Sequence, residues 1–266
     1  MENVKKGQIK EVINMSLILK NVSYSFTNEN DQKNHVISNL NMEVQTGEFV
    51  SLIGKSGTGK STVLKLITGL LKENHGQILI NNQEVSLGDV GYMPQKDLLL
   101  PWRTIIDNIM IASEFQKDLH ISKEDARKWL DRVGLLKYEN ALPKQLSGGM
   151  RQRASFLRAL FTGKDVLLLD EPFGALDALT KREMQTWLLS IWQDLNKTII
   201  FITHDLEEAA YLSDRILLLH QNKTLEEIKV ELPRPRKLGM IHSKEMVSLR
   251  QELEKKISNE ANQKLV

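Results

Sequence analysis

Leu17 to Phe26 alternates apolar and polar side chains, and Val36 to Val44 does so again beyond a polar, turn-rich stretch from Thr27 to Asn34. Alternation of this kind predicts two strands of a small antiparallel sheet, each with one buried face. Phe49-Val50-Ser51-Leu52-Ile53 differs, being apolar throughout, as expected of a strand buried on both faces of a parallel sheet. Glycines follow it, and Val63, Leu64, Ile67, Leu70 and Leu71 then recur at helical spacing, which predicts a helix over Ser61 to Leu71.

From about Asp97 to Phe161 the pattern is helical, with helices expected near Thr104 to Phe115, Lys123 to Val133 and Ser147 to Phe161. The sheet pattern returns at Val166 to Leu169, Thr198 to Ile202 and Arg215 to Leu219, with helices on either side of the middle strand. The predicted fold class is α/β: a mostly parallel core sheet, a small antiparallel β subdomain and an α-helical insert at about 97–161. Late in the chain, Leu232-Pro233-Arg234-Pro235-Arg236 precedes a charged helix with Met246, Leu249, Leu253 and Ile257 on one stripe. No internal repeat is seen. Residues 16–266 read as one domain with a tail from about 233, and residues 1–15 as a disordered extension or a misplaced start, since Met15 directly precedes the strand-like Leu17-Ile18-Leu19.

A chain of 266 residues, 41% hydrophobic and 26% charged, suits one such unit with a sizeable core. Its 36 basic and 34 acidic residues leave a net charge of +2, so no dominant field attracts nucleic acid, and none is expected as a partner. The absence of cysteine rules out disulfide frameworks and thiolate metal sites. The six histidines are scattered, and one such as His120 reads as a solvated surface residue. No apolar run approaches the roughly 18 residues that would span a bilayer.

Candidate chemistry begins at Gly54-Lys55-Ser56-Gly57-Thr58-Gly59-Lys60-Ser61-Thr62, which fits G-x-x-x-x-G-K-[ST] between an apolar strand and a helix. Glycines let successive backbone N–H groups turn inward to form an anion nest at a helix N-terminus. Lys60 adds a point charge for the β and γ phosphates, and Ser61 offers a hydroxyl to Mg²⁺. Val166-Leu167-Leu168-Leu169 ends in Asp170-Glu171, two carboxylates at the carboxyl end of a buried strand, where a ligand crevice is expected. Asp170 is the expected Mg²⁺ partner, and Glu171, alternating to the other side, is placed to orient or deprotonate an attacking water. These residues argue for a P-loop NTPase, equally a kinase or a GTPase. Ser147-Gly148-Gly149, opening the helix over 147–161, is a second anion site with a hydroxyl and unhindered N–H groups, for which one chain has no obvious use.

Leu146-Ser147-Gly148-Gly149-Met150 resembles the Leu-Ser-Gly-Gly-Gln signature of the ABC-transporter ATPase family, with Met150 in place of the glutamine. The resemblance runs from about Leu17 to Leu232 with the motifs in family order. It implies that Phe26 stacks on adenine, with Tyr24 as the rival. It also implies that Gln95 reaches Mg²⁺ and water, that the loop of Ala175-Leu176-Asp177 crosses between subunits, and that His204 contacts the γ phosphate. It further implies a head-to-tail homodimer with ATP held between Lys60 of one chain and Ser147 of the other, lying at the cytoplasmic face of the cell membrane. Two transmembrane permease subunits and, indirectly, an extracytoplasmic substrate-binding protein are the implied partners. Leu98-Leu99-Leu100-Pro101-Trp102 and Leu232-Pro233-Arg234-Pro235-Arg236 are similar to the nitrate, sulfonate, taurine and thiamine-precursor importers, and an apolar run ending in an aromatic on an exposed segment marks an interface. About 90 residues separate the phosphate loop from Ser147, too few for the coiled coils of a DNA-repair ATPase. A single motif set also departs from the two-unit translation proteins, which leaves a soluble regulatory ATPase as the alternative.

Overall fold

The structure is a computed structural model that describes residues 15–27, 33–115, 122–174 and 176–262, with side chains to residue 258. Of the expected extension at 1–15, residues 1–14 lie outside the described residues and Met15 instead begins a strand paired with Gln45; most of the turn-rich stretch before Asn34, His120 and Ala175 also lie outside the described residues.

Two sheets form. The first has four antiparallel strands in the order β2-β1-β4-β5, with β1 at Met15–Thr27, β2 at Lys33–Gln45, β4 at His75–Ile80 and β5 at Gln83–Glu84. The second has six, in the order β10-β9-β3-β8-β7-β6. Here β3 (Phe49–Ile53), β6 (Gly91–Met93), β7 (Val166–Asp170), β8 (Thr198–Ile202) and β9 (Arg215–Leu219) run parallel, and β10 (Leu225–Lys229) is antiparallel at the edge.

The apolar strand runs divide their side chains between two cores. Val50, Leu52, Val166, Leu168, Ile200, Ile202, Leu217 and Leu219 face one way, onto α1 (Lys60–Ile67) and the inner face of the antiparallel sheet. Phe49, Leu167, Leu169, Ile199, Phe201, Ile216 and Leu218 face the other way, onto a helical layer. That layer is built from α2 (Ile105–Ile109), α4 (Lys123–Arg132), α5 (Gly148–Leu160), α6 (Ala178–Leu195), α7 (Leu206–Leu212) and α8 (Lys244–Asn262), with α3 (Ile111–Phe115) following α2. Burial on both faces is what requires strands with no polar alternation. In α8, Met246 and Leu253 are buried and Leu249 and Ile257 pack against them, so the expected stripe is the docking face.

The structure differs from expectation in four places. First, α1 stops at Ile67 rather than Leu71, because Gly69 adopts φ 74° and a Cβ there would sit 2.7 Å from the Leu87 nitrogen. Second, the helix expected over 104–115 is two short helices. Third, β4, β5, β6 and β10 carry no periodic signal, being short or charged, and exist because a neighbouring strand supplies their ladder. Finally, Leu99 of the expected exposed apolar run is buried, while Leu98 and Trp102 are 59% and 73% exposed.

Candidate nucleotide site

Parallel strands β3, β6, β7 and β8 end on the same edge of their sheet, so the loops that follow them converge there. Gly54, Ser56, Gly57, Gly59, Lys60, Ser61 and Thr62 after β3 line a cleft of about 480 Å³ together with Asp170 and Glu171 from β7 and His204 after β8. Val36 and Ile202 complete the lining.

The loop's shape follows from its glycines. Gly54, Gly57 and Gly59 have φ of 154°, 81° and 113°, and a Cβ on Gly59 would lie 2.7 Å from Ile37 Cδ1. Thr58 is buried behind the loop, where its hydroxyl donates to the Lys55 carbonyl at 3.0 Å. From the β9–β10 turn, Lys223 Nζ donates to the Thr58 carbonyl at 3.1 Å, a brace with no signal in the sequence. Gly59 caps α1 without a side-chain bond, so the helix N-terminus is left to an anion. Lys60 Nζ donates to the carbonyls of Gly54 at 2.7 Å and Lys55 at 3.0 Å. Burial lowers the Lys60 pKa, while Glu171 and Asp170 across the cleft pull it up.

Asp170 shows the opposite response. Burial, and then the charge of Glu171, push its carboxyl up, opposed by a hydrogen bond from Tyr92 and by the charge of Lys60. Tyr92 Oη donates to Asp170 Oδ2 at 3.4 Å, and its own pKa is pushed up to about 12 by burial and by Asp170. Along the chain Tyr92 is only a near neighbour of Gln95, and nothing local reveals that β6 pairs with β7 and so brings its phenol to Asp170.

Strand alternation does not aim Glu171. It lies one residue past β7 with φ 43°, its N–H donating to the Ile202 carbonyl at 2.8 Å, and this left-handed turn puts both carboxylates into one cleft. An unusual backbone conformation held by its surroundings is typical of functional loops. Gln95 Nε2 donates to Glu171 Oε2 at 2.9 Å, and His204 Nδ1 lies 3.4 Å from the same oxygen. A carboxylate flanked by an amide and an imidazole, facing a lysine and an anion nest, suits attack of water on a phosphoryl group.

The remaining sequence candidates lie elsewhere. Ser147, Gly148, Gly149, Asp177 and Phe26 are not among the residues that line this cleft. Ser147 caps α5, its Oγ accepting from the Met150 N–H at 3.3 Å, and Gly149 is packed so tightly that a Cβ would lie 2.7 Å from Thr180 Cγ2. Asp177 caps α6, accepting from the N–H groups of Leu179 and Thr180 at 3.1 Å each. Phe26 is 48% exposed, whereas Tyr24 packs against the core, so of the two aromatics Phe26 is the one with a free face. Gln95 and Gly148 both border a second cavity of about 450 Å³, with Leu98 and Arg151.

The family profile described as ABC transporter matches residues 37–174, spanning the phosphate loop, Gln95, Ser147 and the Asp170-Glu171 pair. The chain belongs to the ABC transporter family. It is similar to the formylaminopyrimidine import ATP-binding protein ThiZ of Halalkalibacterium halodurans, with 41% identity over 91% of this chain and 94% of that protein. It is also 40% identical to an aliphatic sulfonates import ATP-binding protein, SsuB, of Bacillus cereus, over 84% of this chain and 89% of that one. Among solved structures, a dimeric ATP-binding cassette in a post-hydrolysis state, bound to ADP and Pi, superposes with a TM-score of 0.72 at 29% identity, covering 82% of this chain and all of that one. As an ABC cassette the chain is an ATPase. No helix among the described residues is long and apolar enough to cross a membrane.

Proposed function

We propose that this ABC ATPase works as a head-to-tail homodimer beneath two transmembrane permease subunits at the cytoplasmic face of the cell membrane. Its hydrolysis drives import of nitrate, a sulfonate, taurine or a pyrimidine precursor of thiamine delivered by an extracytoplasmic binding protein. The named relatives support the sulfonate and the pyrimidine precursor most directly, being import proteins for aliphatic sulfonates and formylaminopyrimidine.

One observation carries the dimer. The anion turn at Ser147 shares no lining residue with the Lys60 cleft, which supports its use on a nucleotide held by a second copy. In that arrangement Lys60 and the loop from Gly54 to Thr62 hold the phosphates, Phe26 stacks on adenine, and Ser147, Gly148 and Gly149 of the other copy close over the γ phosphate. Asp177 leads the crossing loop. Glu171 orients the attacking water, with His204 and Gln95 on either side of its carboxylate.

The donor set also fits Mg²⁺. Asp170 is a carboxylate whose ionised form is penalised by burial and by Glu171, a penalty that a divalent cation offsets. No group of three or more histidine or acidic side chains among the described residues forms a full cage, which suits a small cation shared with phosphate and water. Ser61, Asp170 and Gln95 would hold it, and it would neutralise charge on the transferring phosphoryl group.

Exposed Leu98 and Trp102 form the surface for the permease. They adjoin Gln95 through Asp97, which is pinned to α5 by Arg151 at 2.9 Å and by Arg158 at 2.6 Å, so a push there reaches both the Glu171 partner and the Ser147 helix.

Mixing two inactive variants tests the shared site. Lys60→Ala and Ser147→Arg should each be inactive alone, while an equimolar mixture regains measurable ATPase activity because about half of the dimers formed are heterodimers, each with one intact composite site. A mixture as inactive as its components rejects the head-to-tail arrangement. Uptake of labelled sulfonate or formylaminopyrimidine by vesicles carrying the assembled transporter then tests the cargo.

A further inference from the structure

His204 projects into the cleft from the turn between β8 and α7, with its side chain 66% exposed and Glu171 as its near neighbour at 3.4 Å. So exposed a ring is aimed by its backbone rather than by packing, and both of its chain neighbours are held. Thr203 Oγ1 donates to Glu208 Oε2 at 2.6 Å and accepts from the Asp205 N–H at 3.0 Å. Asp205 caps α7, accepting from Glu207 and Glu208. These contacts converge on one ammonium. Lys181 Nζ donates to Asp205 Oδ2 at 3.0 Å and lies 3.0 Å from Glu208 Oε1. Lys181 stands in the first turn of α6, its N–H donating to the Asp177 carbonyl at 2.9 Å, so it is fixed to the residue that caps α6.

We infer that Lys181 is a positioning residue for ATP hydrolysis, tying the turn that carries His204 to the helix that opens at Asp177, so that the two loops move together.

The inference rests on the reading of His204 given above. The physical case is that Glu208 is 3% exposed, and a buried carboxylate survives only when paired and hydrogen-bonded. Burial raises its pKa, and bonds from Thr203 and Lys181 oppose that rise. An ammonium between two carboxylates of one turn fixes the turn's distance from α6, which neither carboxylate can do alone. A displacement of about 1 Å in a group that orients a reacting water is enough to cost about 100-fold in rate. The loop that ends at Asp177 is the one proposed to cross to the second copy. Closure of the dimer would therefore be felt at His204 through a single side chain, without passing through the nucleotide.

The experiment uses Lys181→Met, Lys181→Arg, Lys181→Met with Glu208→Gln, and His204→Ala, each assayed for kcat, for KM of ATP and for thermal midpoint. Lys181→Met should lower kcat by at least about 10-fold with KM within about 2-fold of the unmodified protein, since it removes an interaction used in the transition state and not in binding. Lys181→Arg, which keeps the charge and reach, should restore most of kcat. The double variant removes the uncompensated carboxylate and so should recover the thermal midpoint, yet kcat should remain low because the link to α6 is still missing. The inference is overturned if Lys181→Met retains kcat within about 2-fold, or if the double variant regains kcat along with its midpoint, which would make Lys181 merely a counter-ion for Glu208. Full activity in His204→Ala would instead remove the reading of His204 itself, a failure distinguishable from that of Lys181.

Discussion

The side-chain amide of Gln95 donates to Glu171 at 2.9 Å, joining the second residue past β6 to the first residue past β7. Replacing Glu171 by glutamine keeps an acceptor for Gln95 while removing the negative charge that faces Lys60. Glu171→Gln should therefore bind ATP normally, turn over about 10² to 10⁴ times more slowly, and accumulate as an ATP-bound dimer. Size-exclusion chromatography with ATP and Mg²⁺ checks this: a monomeric profile with undiminished phosphate release would show that the carboxylate does not act on water.

Tyr92 holds Asp170 down in pKa against the upward push of burial and Glu171, and its own pKa, near 12, keeps the phenol protonated at working pH. Removing that donor in Tyr92→Phe raises the Asp170 pKa further, so less of the carboxylate is ionised at a given pH. A metal ligand must be deprotonated to bind. The acid limb of ATPase activity at limiting Mg²⁺ should consequently move to higher pH, and the loss should vanish at more alkaline pH. Superimposable pH profiles for the two proteins would argue against Asp170 as the metal partner.

Gly59 combines φ 113° with a Cβ position 2.7 Å from Ile37. Gly59→Ala should cost about 1 to 3 kcal/mol, from backbone strain and from the shift imposed on Ile37. Because the strain sits in the anion nest, the rise in thermal midpoint on adding ATP should shrink as well. Thermal melts with and without nucleotide read both effects, and an unchanged ATP-induced rise would mean that the nest tolerates a side chain.

Trp102 and Leu98 are exposed and bonded to nothing that the cleft needs through their side chains. Trp102→Ala with Leu98→Ala should leave the ATPase rate and thermal midpoint of the isolated chain nearly unchanged. Loss of a central aromatic anchor weakens an interface by about 2 kcal/mol or more, so co-purification with the permease subunits should fall sharply. Retained co-purification would move the permease contact elsewhere.

Much of this protein was legible in order along the chain. Thr198–Ile202 and Arg215–Leu219 are strands at the residues expected, and the α8 stripe of Met246, Leu249, Leu253 and Ile257 meets the core as its spacing demands. The phosphate loop, the Asp170-Glu171 pair and the Ser147 turn were readable because a few adjacent residues carry their chemistry. Hydrophobic period and loop chemistry are local properties, fixed within about one turn or one strand.

Tertiary structure decided what those pieces meet. Inserting β8 between β3 and β7 brings Lys60, Asp170 and His204 to one cleft, and pairing β6 with β7 gives Asp170 its tyrosine. Packing sent Leu99 inward and left Leu98 outside, stopped α1 at Gly69, and turned Glu171 with a left-handed backbone rather than by strand alternation. The Lys181 link between α6 and α7 joins residues 24 and 27 positions apart. Each of these depends on which surfaces exclude water together and which buried polar groups must find partners, and neither is encoded in the neighbours of a single residue.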